Sequence, residues 1–447
     1  MIEAMGTSTT EDLAPRILTR PEHNLSRQHL SPEALKVLYR LHRSGYAAFL
    51  VGGSVRDLLL GRRPKDFDVA TNARPQEIRR LFRNSRIIGR RFRLVHVFFH
   101  GGIVEVATFR ASPEPPESPE DWEEAEEEAA EEDAVVDRPP LRHEEDVYGT
   151  PSEDARRRDF TVNALFYNVA DFSIIDYVGG IEDLQRKVIR TIGNPDERFE
   201  EDPVRMMRAL EYSVRLDFHV DRPTVEAIER QQDLISEASS PRLTYELLEC
   251  LRSGKAAEIH AAWRRAGVFT RAFPDLPIDT DESVRVLAMV DEGIANGRQF
   301  SDPSLLGGFF LTKFLGLASE ETDGNGRVNN VQLLERLREV LEPAAASMHL
   351  SNQTIHLIHQ GLFTLTKMRR PPDRGRQVLK LVRQDYFPVA WDFYGFATAL
   401  GSISPEAHEG WSRAVRKVGR QKTPQRPQVA DPDRPPRPRR RPRRRRR

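Results

Sequence analysis

Asp66 and Asp68, two aspartates with one residue between them, have the residue type and the spacing for chemistry. Side chains two apart on a strand share a face and lie about 6.5–7 Å apart along it. Two carboxylates at a strand end can hold a hard divalent cation through their oxygens. Two such cations can activate an attacking oxygen and neutralise a leaving pyrophosphate. An isolated Asp-x-Asp is more often an exposed pair at a strand end. The stretch just upstream, LVGGSVRD, shifts that balance. There a strand ends in Gly52-Gly53 and a helix begins. Paired glycines let the backbone come close to a ligand, and the first N–H groups of a helix face an anion. Arg56 lies one turn into that helix, within reach of a phosphate.

Three more clusters follow. Glu105 is the only acid in the apolar strand IVEVATF, and a charge in a buried strand needs a partner. A metal held by Asp66 and Asp68 would supply one, and so would Arg110. Arg156-Arg157-Arg158 precede Asp159 and Asn163. The arginines can grip a triphosphate, and Asp159 can bind a ribose hydroxyl, orient an arginine or approach the metals. Asp202 and Pro203 read as the cap and first residue of a helix. On it Arg205 and Arg208, three apart, share a face that offers guanidinium forks to a base edge or phosphate. Taken alone, that helix is an ordinary capped one with a solvated basic face. The chain has no GxxxxGK[ST], GxSxG or HExxH pattern. His96 and His100 read as structural, and Cys250, among Leu247, Leu248 and Leu251, as core.

The elements that must position these groups alternate in type. Residues 31–45 form a helix capped by Ser31 and ended by Gly45. Strands are expected at Tyr46–Val51, Phe67–Ala70, Leu94–Phe99 and Ile103–Phe109, with further sheet material at Asp159–Asn168 and Ile174–Asp176. A helix is expected at Pro75–Phe82. From about Asp183 the apolar spacing turns helical, as in Arg205–Leu216, Pro223–Ile235, Arg242–Ser253 and Ala256–Ala266, and strand signals cease.

The chain has 447 residues, with 68 Lys+Arg against 68 Asp+Glu. That neutrality is a cancellation. Glu114–Asp146 holds 16 acids and two arginines, and Arg420–Arg447 holds 13 bases and two acids. The first reads as a disordered acidic insertion and the second as an Arg/Pro-rich end suited to nucleic-acid phosphates or to the insertion itself. No apolar run is long enough for a membrane helix. Residues 1–20 lack the apolar core of a secretory signal. The single cysteine excludes an intramolecular disulfide and fits a reducing cytoplasm.

In order, LVGGSVRDLLLG, KDFDVATNA, EVATFR, RRDFTVNAL and EDPVRMMRA resemble the class II nucleotidyltransferases, which comprise CCA-adding tRNA nucleotidyltransferases and bacterial poly(A) polymerases. The resemblance spans Leu50 to Leu216. The basic stretch Leu81–Val97, DYVGG from Asp176, IGNP from Ile192 and the Arg-rich end are similar to the poly(A) polymerase branch. It implies an α+β head with a mixed sheet of about five strands, followed by an all-helical neck, body and tail. The expected divisions are a flexible leader 1–30, a head 31–182 interrupted by 112–147, a neck 183–255, a body and RNA-binding tail 256–419, and a disordered end 420–447. The resemblance also implies Gly52, Gly53 and Arg56 at the triphosphate, and Asp66 and Asp68 as ligands of two Mg²⁺. Arg158, Asn163, Arg205 and Arg208 would bind ATP, with Asp202 helping to select the base. For the third acid, strand geometry points to Glu105 and the family pattern to Asp159, which is placed first. The implied reaction is template-independent addition of AMP from ATP to single-stranded RNA 3′ ends. CCA addition to tRNA and a non-catalytic RNA-binding protein are the rivals.

Overall fold

The computed structural model describes residues 14–89, 93–111, 148–278, 281–324, 327–372 and 375–421. The acidic insertion and the Arg-rich end therefore lie outside the described residues. The head is built on strands β1 (Arg16–Leu18), β2 (Ala48–Val51), β3 (Asp68–Thr71), β4 (Ser85–Ile88), β5 (Leu94–Phe99), β6 (Gly102–Thr108), β7 (Leu165–Asn168) and β8 (Ile174–Asp176). They form one sheet in the order β1-β8-β7-β2-β3-β6-β5-β4. All pairings are antiparallel except β3 with β6, so the sheet is mixed as expected.

Eight strands stand where about five were expected. Two of them, the edge strands, match none of the segments expected from sequence. β1 is three residues long, and β4 sits in a basic stretch with only Ile87 and Ile88 as apolar signal. Edge strands pair on one side only and need little apolar pattern. Residues 16–30 are thus built into the head where a flexible leader was expected: Arg16–Leu18 pair with β8, and Leu25 and Leu30 are buried.

One face of the sheet packs against helices α1 (Pro32–Arg43), α2 (Gly53–Leu59) and α3 (Pro75–Leu81). Its core joins Val37, Leu38 and Leu41 of α1 to Leu50, Val69, Val95, Val97, Val104 and Val106 of the strands. Ser31 caps α1 by accepting from the Ala34 N–H at 3.0 Å. The other face has a smaller layer, in which Phe49, Val51, Ala70 and Phe109 meet Phe166 and Ile192. β2 is covered on both faces, so all four of its residues are buried.

After the short helices α4 (Pro151–Arg156) and α5 (Gly180–Arg186), the chain becomes helical, with one exception to the expected end of strands. Val188–Ile189 (β9) and His219–Val220 (β10) make a two-residue parallel pair, too short for any alternation to be read. The helices that carry the site are α6 (Pro195–Glu201), α7 (Val204–Leu216), α8 (Arg222–Gln231) and α9 (Ser240–Arg252), followed by α10 (Ala256–Arg265). A single buried cluster runs from Phe160 to Val418, so apolar packing continues across residue 255. Trp263 of α10 is fully buried and donates its indole N–H to the Met207 carbonyl of α7 at 2.8 Å. Cys250 is core, as its neighbours predict. Among the described residues, no helix is long and apolar enough to cross a membrane.

Candidate active site

The Gly52-Gly53 turn joins β2 to α2 directly over the start of β3. Gly52 has φ +74° and ψ −148°, backbone that L side chains rarely adopt. A Cβ there would lie 3.3 Å from Nη1 of Arg158 and 3.9 Å from Oδ2 of Asp68. A Cβ on Gly53 would lie 3.2 Å from Nη2 of Arg56. The two glycines are therefore what allow backbone, carboxylate and guanidinium to meet. Ser54 closes the turn by donating to the Val51 carbonyl at 2.8 Å.

Asp68 opens β3 opposite Val51, with the exposed Asp66 two residues before it. The β3–β6 register pairs Val69 with Val106, which sets Glu105 beside Asp68 on the same face. Burial pushes the Asp68 carboxyl up to about 6, and the charges of Glu105 and Asp66 add to this against Arg158. Glu105 itself is half-exposed and faces His96, its partner on β5, at 3.4 Å. The expected buried charge is corrected accordingly. Neighbouring strands leave that face of β6 in solvent, and His96 is the side chain beside Glu105.

Asp159 is placed differently. Its Oδ2 accepts from Nε and Nη2 of Arg208 at 3.0 and 2.7 Å. Its Oδ1 accepts from the Asn163 side chain at 3.0 Å and the Phe160 N–H at 2.7 Å. Burial would raise its pKa, but Arg208 and these hydrogen bonds outweigh it and hold the carboxyl below its ordinary value. An acid so fully bonded has little capacity left for a metal.

Arg208 also donates to Glu246 of α9 and to the Tyr212 hydroxyl, both at 3.0 Å. Arg56 is buried below the glycine turn. It bonds Asn163 and Asp57, and its guanidinium carbon lies 5.1 Å from the Tyr212 ring centre. Asn163 thus bridges Arg56 to Asp159. Arg158 stacks over Phe166 and donates to Asp154 at 3.0 Å. Arg205 turns away from Arg208, toward α6, donating to the Arg198 carbonyl and to Glu201. Asp202 accepts from the Val204 N–H at 3.2 Å and from Arg242 at 2.8 Å; the cap of α7 is Pro203, one residue later than expected.

Most of the residues singled out from sequence therefore lie on two connected patches, while Asp202 and Arg205 stand apart at the start of α7. Asp66, Asp68 and Glu105 form one, with Arg158 and the glycines at its margin. Arg56, Asn163, Asp159 and Arg208 form the other, around Tyr212. Sequence reasoning missed Asp154, Tyr212 and Glu246. Asp154 is buried beneath Arg157 and Arg158, and its only sequence signal is its i,i+3 and i,i+4 spacing to them. Tyr212, four residues after Arg208, has Arg56, Arg208 and Arg215 within 5.8 Å of its ring centre. Among the described residues no group of three or more His, Cys, Asp or Glu is arranged to hold a metal ion. Asp66 and Asp68 could offer two carboxylates to a cation that keeps water and substrate phosphate as its other ligands.

A family model described as the poly A polymerase head domain matches residues 48–190. A second, described as a probable RNA- and SrmB-binding site of polymerase A, matches residues 217–278. Poly(A) polymerase I of Salmonella typhimurium is 38% identical over 391 residues, covering 84% of this chain and 80% of that protein. The chain belongs to the poly(A) polymerase family. Poly(A) polymerase I of Haemophilus influenzae is 37% identical, with 69% and 68% covered. A CCA-adding enzyme of Bacillus velezensis is 35% identical over only 51% of this chain and 52% of its own. The solved Bacillus stearothermophilus CCA-adding enzyme in complex with CTP has the same fold, at a TM-score of 0.55 and 24% identity over 87% of this chain and 83% of that one. Within this family the head that carries Asp66 and Asp68 is the nucleotidyltransferase domain.

Proposed function

We propose that the chain transfers AMP from ATP to the 3′ end of RNA without a template and releases pyrophosphate. The supporting observation is Asp68 seated against the glycine turn and Arg158, with Asp66 two residues before it, in a chain whose poly(A) polymerase relatives span most of its length. The RNA 3′-oxygen forms a bond to the α-phosphorus as the bond to the bridging oxygen breaks. The hydroxyl proton passes to water, and pyrophosphate leaves. No covalent enzyme intermediate is needed.

The roles divide by patch. Asp66 and Asp68 would hold Mg²⁺, which supplies charge neutralisation and hydroxyl activation when bound. The raised pKa of Asp68 fits that role, because a crowded set of carboxylates is relieved by a cation. Arg158 and the glycine backbone take the polyphosphate. Asp159 works as a positioning residue, holding Arg208 in place. Asp202 and Arg205, at the start of α7, are the groups for reading the adenine edge, where a wrong base leaves buried polar groups unpaired. The region of residues 217–278 and the Arg-rich end are the surfaces for single-stranded RNA.

The test is extension of a labelled generic RNA with Mg²⁺ and each nucleotide alone, beside a tRNA lacking its CCA end. A long ladder with ATP alone on the generic RNA, absent in Asp68→Ala, is expected. Addition of three nucleotides to the tRNA, requiring CTP as well as ATP, would replace this reading with CCA addition.

A further inference from the structure

We propose that the solvent-facing side of β4, β5 and β6 is the docking platform for the 3′-terminal nucleotides of the RNA, with Phe98 and Ile103 as its stacking surface. The proposal deepens the adenylyl-transfer reading and rests on it.

The strands alternate cleanly. Val95, Val97, Val104 and Val106 are buried on the helix-covered side. His96, Phe98, Ile103 and Glu105 point the other way. Phe98 and Ile103 are cross-strand partners, 42% and 53% exposed, although both are large and apolar. The small second layer on that face covers β2, β7 and their surroundings. Solvated apolar groups are ordinary singly, but here two adjoin each other on the face that bears the catalytic carboxylates.

Register sets a path from these groups to the chemistry. Arg86 pairs with His96, and His96 with Glu105. Glu105 neighbours Asp68 through the β3–β6 register. Strands lie about 4.8 Å apart, so this row runs about 14 Å from Asp68 to Arg86. It starts at the carboxylates and ends on a cation at the sheet edge.

The requirements of the reaction select the occupant. The cation that acts on Asp68, Arg158, lies on the opposite flank, where it stacks on Phe166 of β7, and Arg56 lies under the glycine turn. Pyrophosphate must leave toward that side. In-line displacement places the attacking oxygen opposite the leaving group. The RNA hydroxyl therefore enters across β6, and the nucleotides behind it lie over β5 and β4. An aromatic–aliphatic pair with one peripheral arginine suits bases of any identity, as untemplated extension demands. Two exposed apolar side chains fall far short of the roughly 800 Å² per partner of a stable protein interface.

The experiment pairs steady-state kinetics with photocrosslinking. In Phe98→Ala plus Ile103→Ser, the KM for RNA should rise about five- to tenfold, as expected for one lost stack, with the KM for ATP unchanged. Phe98→Trp should retain the wild-type value. A generic RNA with 4-thiouridine as its last-but-one nucleotide should crosslink to peptides spanning residues 84–105. An unchanged KM for RNA in the double variant, or crosslinks confined to the helical region, would overturn the proposal. So would a loss of thermal stability without a change in KM, which would make the face an intramolecular contact. If the wild-type protein transfers no AMP to any RNA, the adenylyl-transfer reading itself fails, which is a distinguishable result.

Discussion

Asp68 and Asp159 are aspartates on the two connected patches of one site, and their surroundings push them in opposite directions. Asp68 sits among acids, with Glu105 and Asp66 beside it and Arg158 as its opposing charge. Its ionised form is unfavourable, and its pKa stands near 6. Asp159 accepts four hydrogen bonds, two of them from Arg208, and its ionised form is favoured. The contrast separates a crowded carboxylate, proposed above as a metal ligand, from a carboxylate whose cationic partner, Arg208, is built in.

Substitutions should expose that contrast. Asp68→Ala should lower RNA extension by about 10³-fold or more, since it removes charge stabilisation of the transition state. Asp159→Ala should act first on folding. It strands Arg208 beside Glu246 with half its partners, and urea unfolding should show a loss of about 2–3 kcal/mol. An Asp159 variant of wild-type stability would break the comparison.

Asp68→Asn should do the reverse of Asp159→Ala, stabilising the metal-free protein by about 1–2 kcal/mol at pH 7 while abolishing activity. The sign follows from the raised pKa. At pH 5 the folded state binds more protons at Asp68 than the unfolded chain does. The stability attached to this group therefore falls as pH rises from its ordinary 3.8 toward about 6. The advantage of Asp68→Asn should be full above pH 6 and vanish toward pH 4. The same protonation should weaken Mg²⁺ binding to the metal-free protein as pH drops through about 6. Glu105→Gln should move that acid limb lower, because it removes the largest charge that opposes ionisation. The smallest effect belongs to Lys65, 62% exposed and bonded to Glu249 of α9. Lys65→Ala should cost less than about 0.5 kcal/mol in thermal unfolding.

The residues of the carboxylate patch were legible because the signals are local. A glycine pair and an Asp-x-Asp act through turn geometry and strand alternation, which operate within a few residues. The helical character after Asp183 was legible for the same reason. The sheet edges were not. β1 and β4 exist because β8 and β5 offer them unpaired backbone, which no pattern of their own records. Glu105 looked buried among valines and is half-exposed, because alternation settles which residues share a face but not whether that face is covered.

The amino-acid sequence by itself determined the family, the alternation that orders side chains along the central strands, and the change from sheet to helix. Those follow from steric and periodic rules along the backbone. Only the tertiary structure decided that Arg208 belongs to Asp159, 49 residues away, that Asn163 joins Arg56 to that pair, and that Glu105 flanks Asp68. Charge pairing acts through space, and its partners are set by which elements pack together, so the electrostatics of this site came into being only when the head closed against α7 and α9.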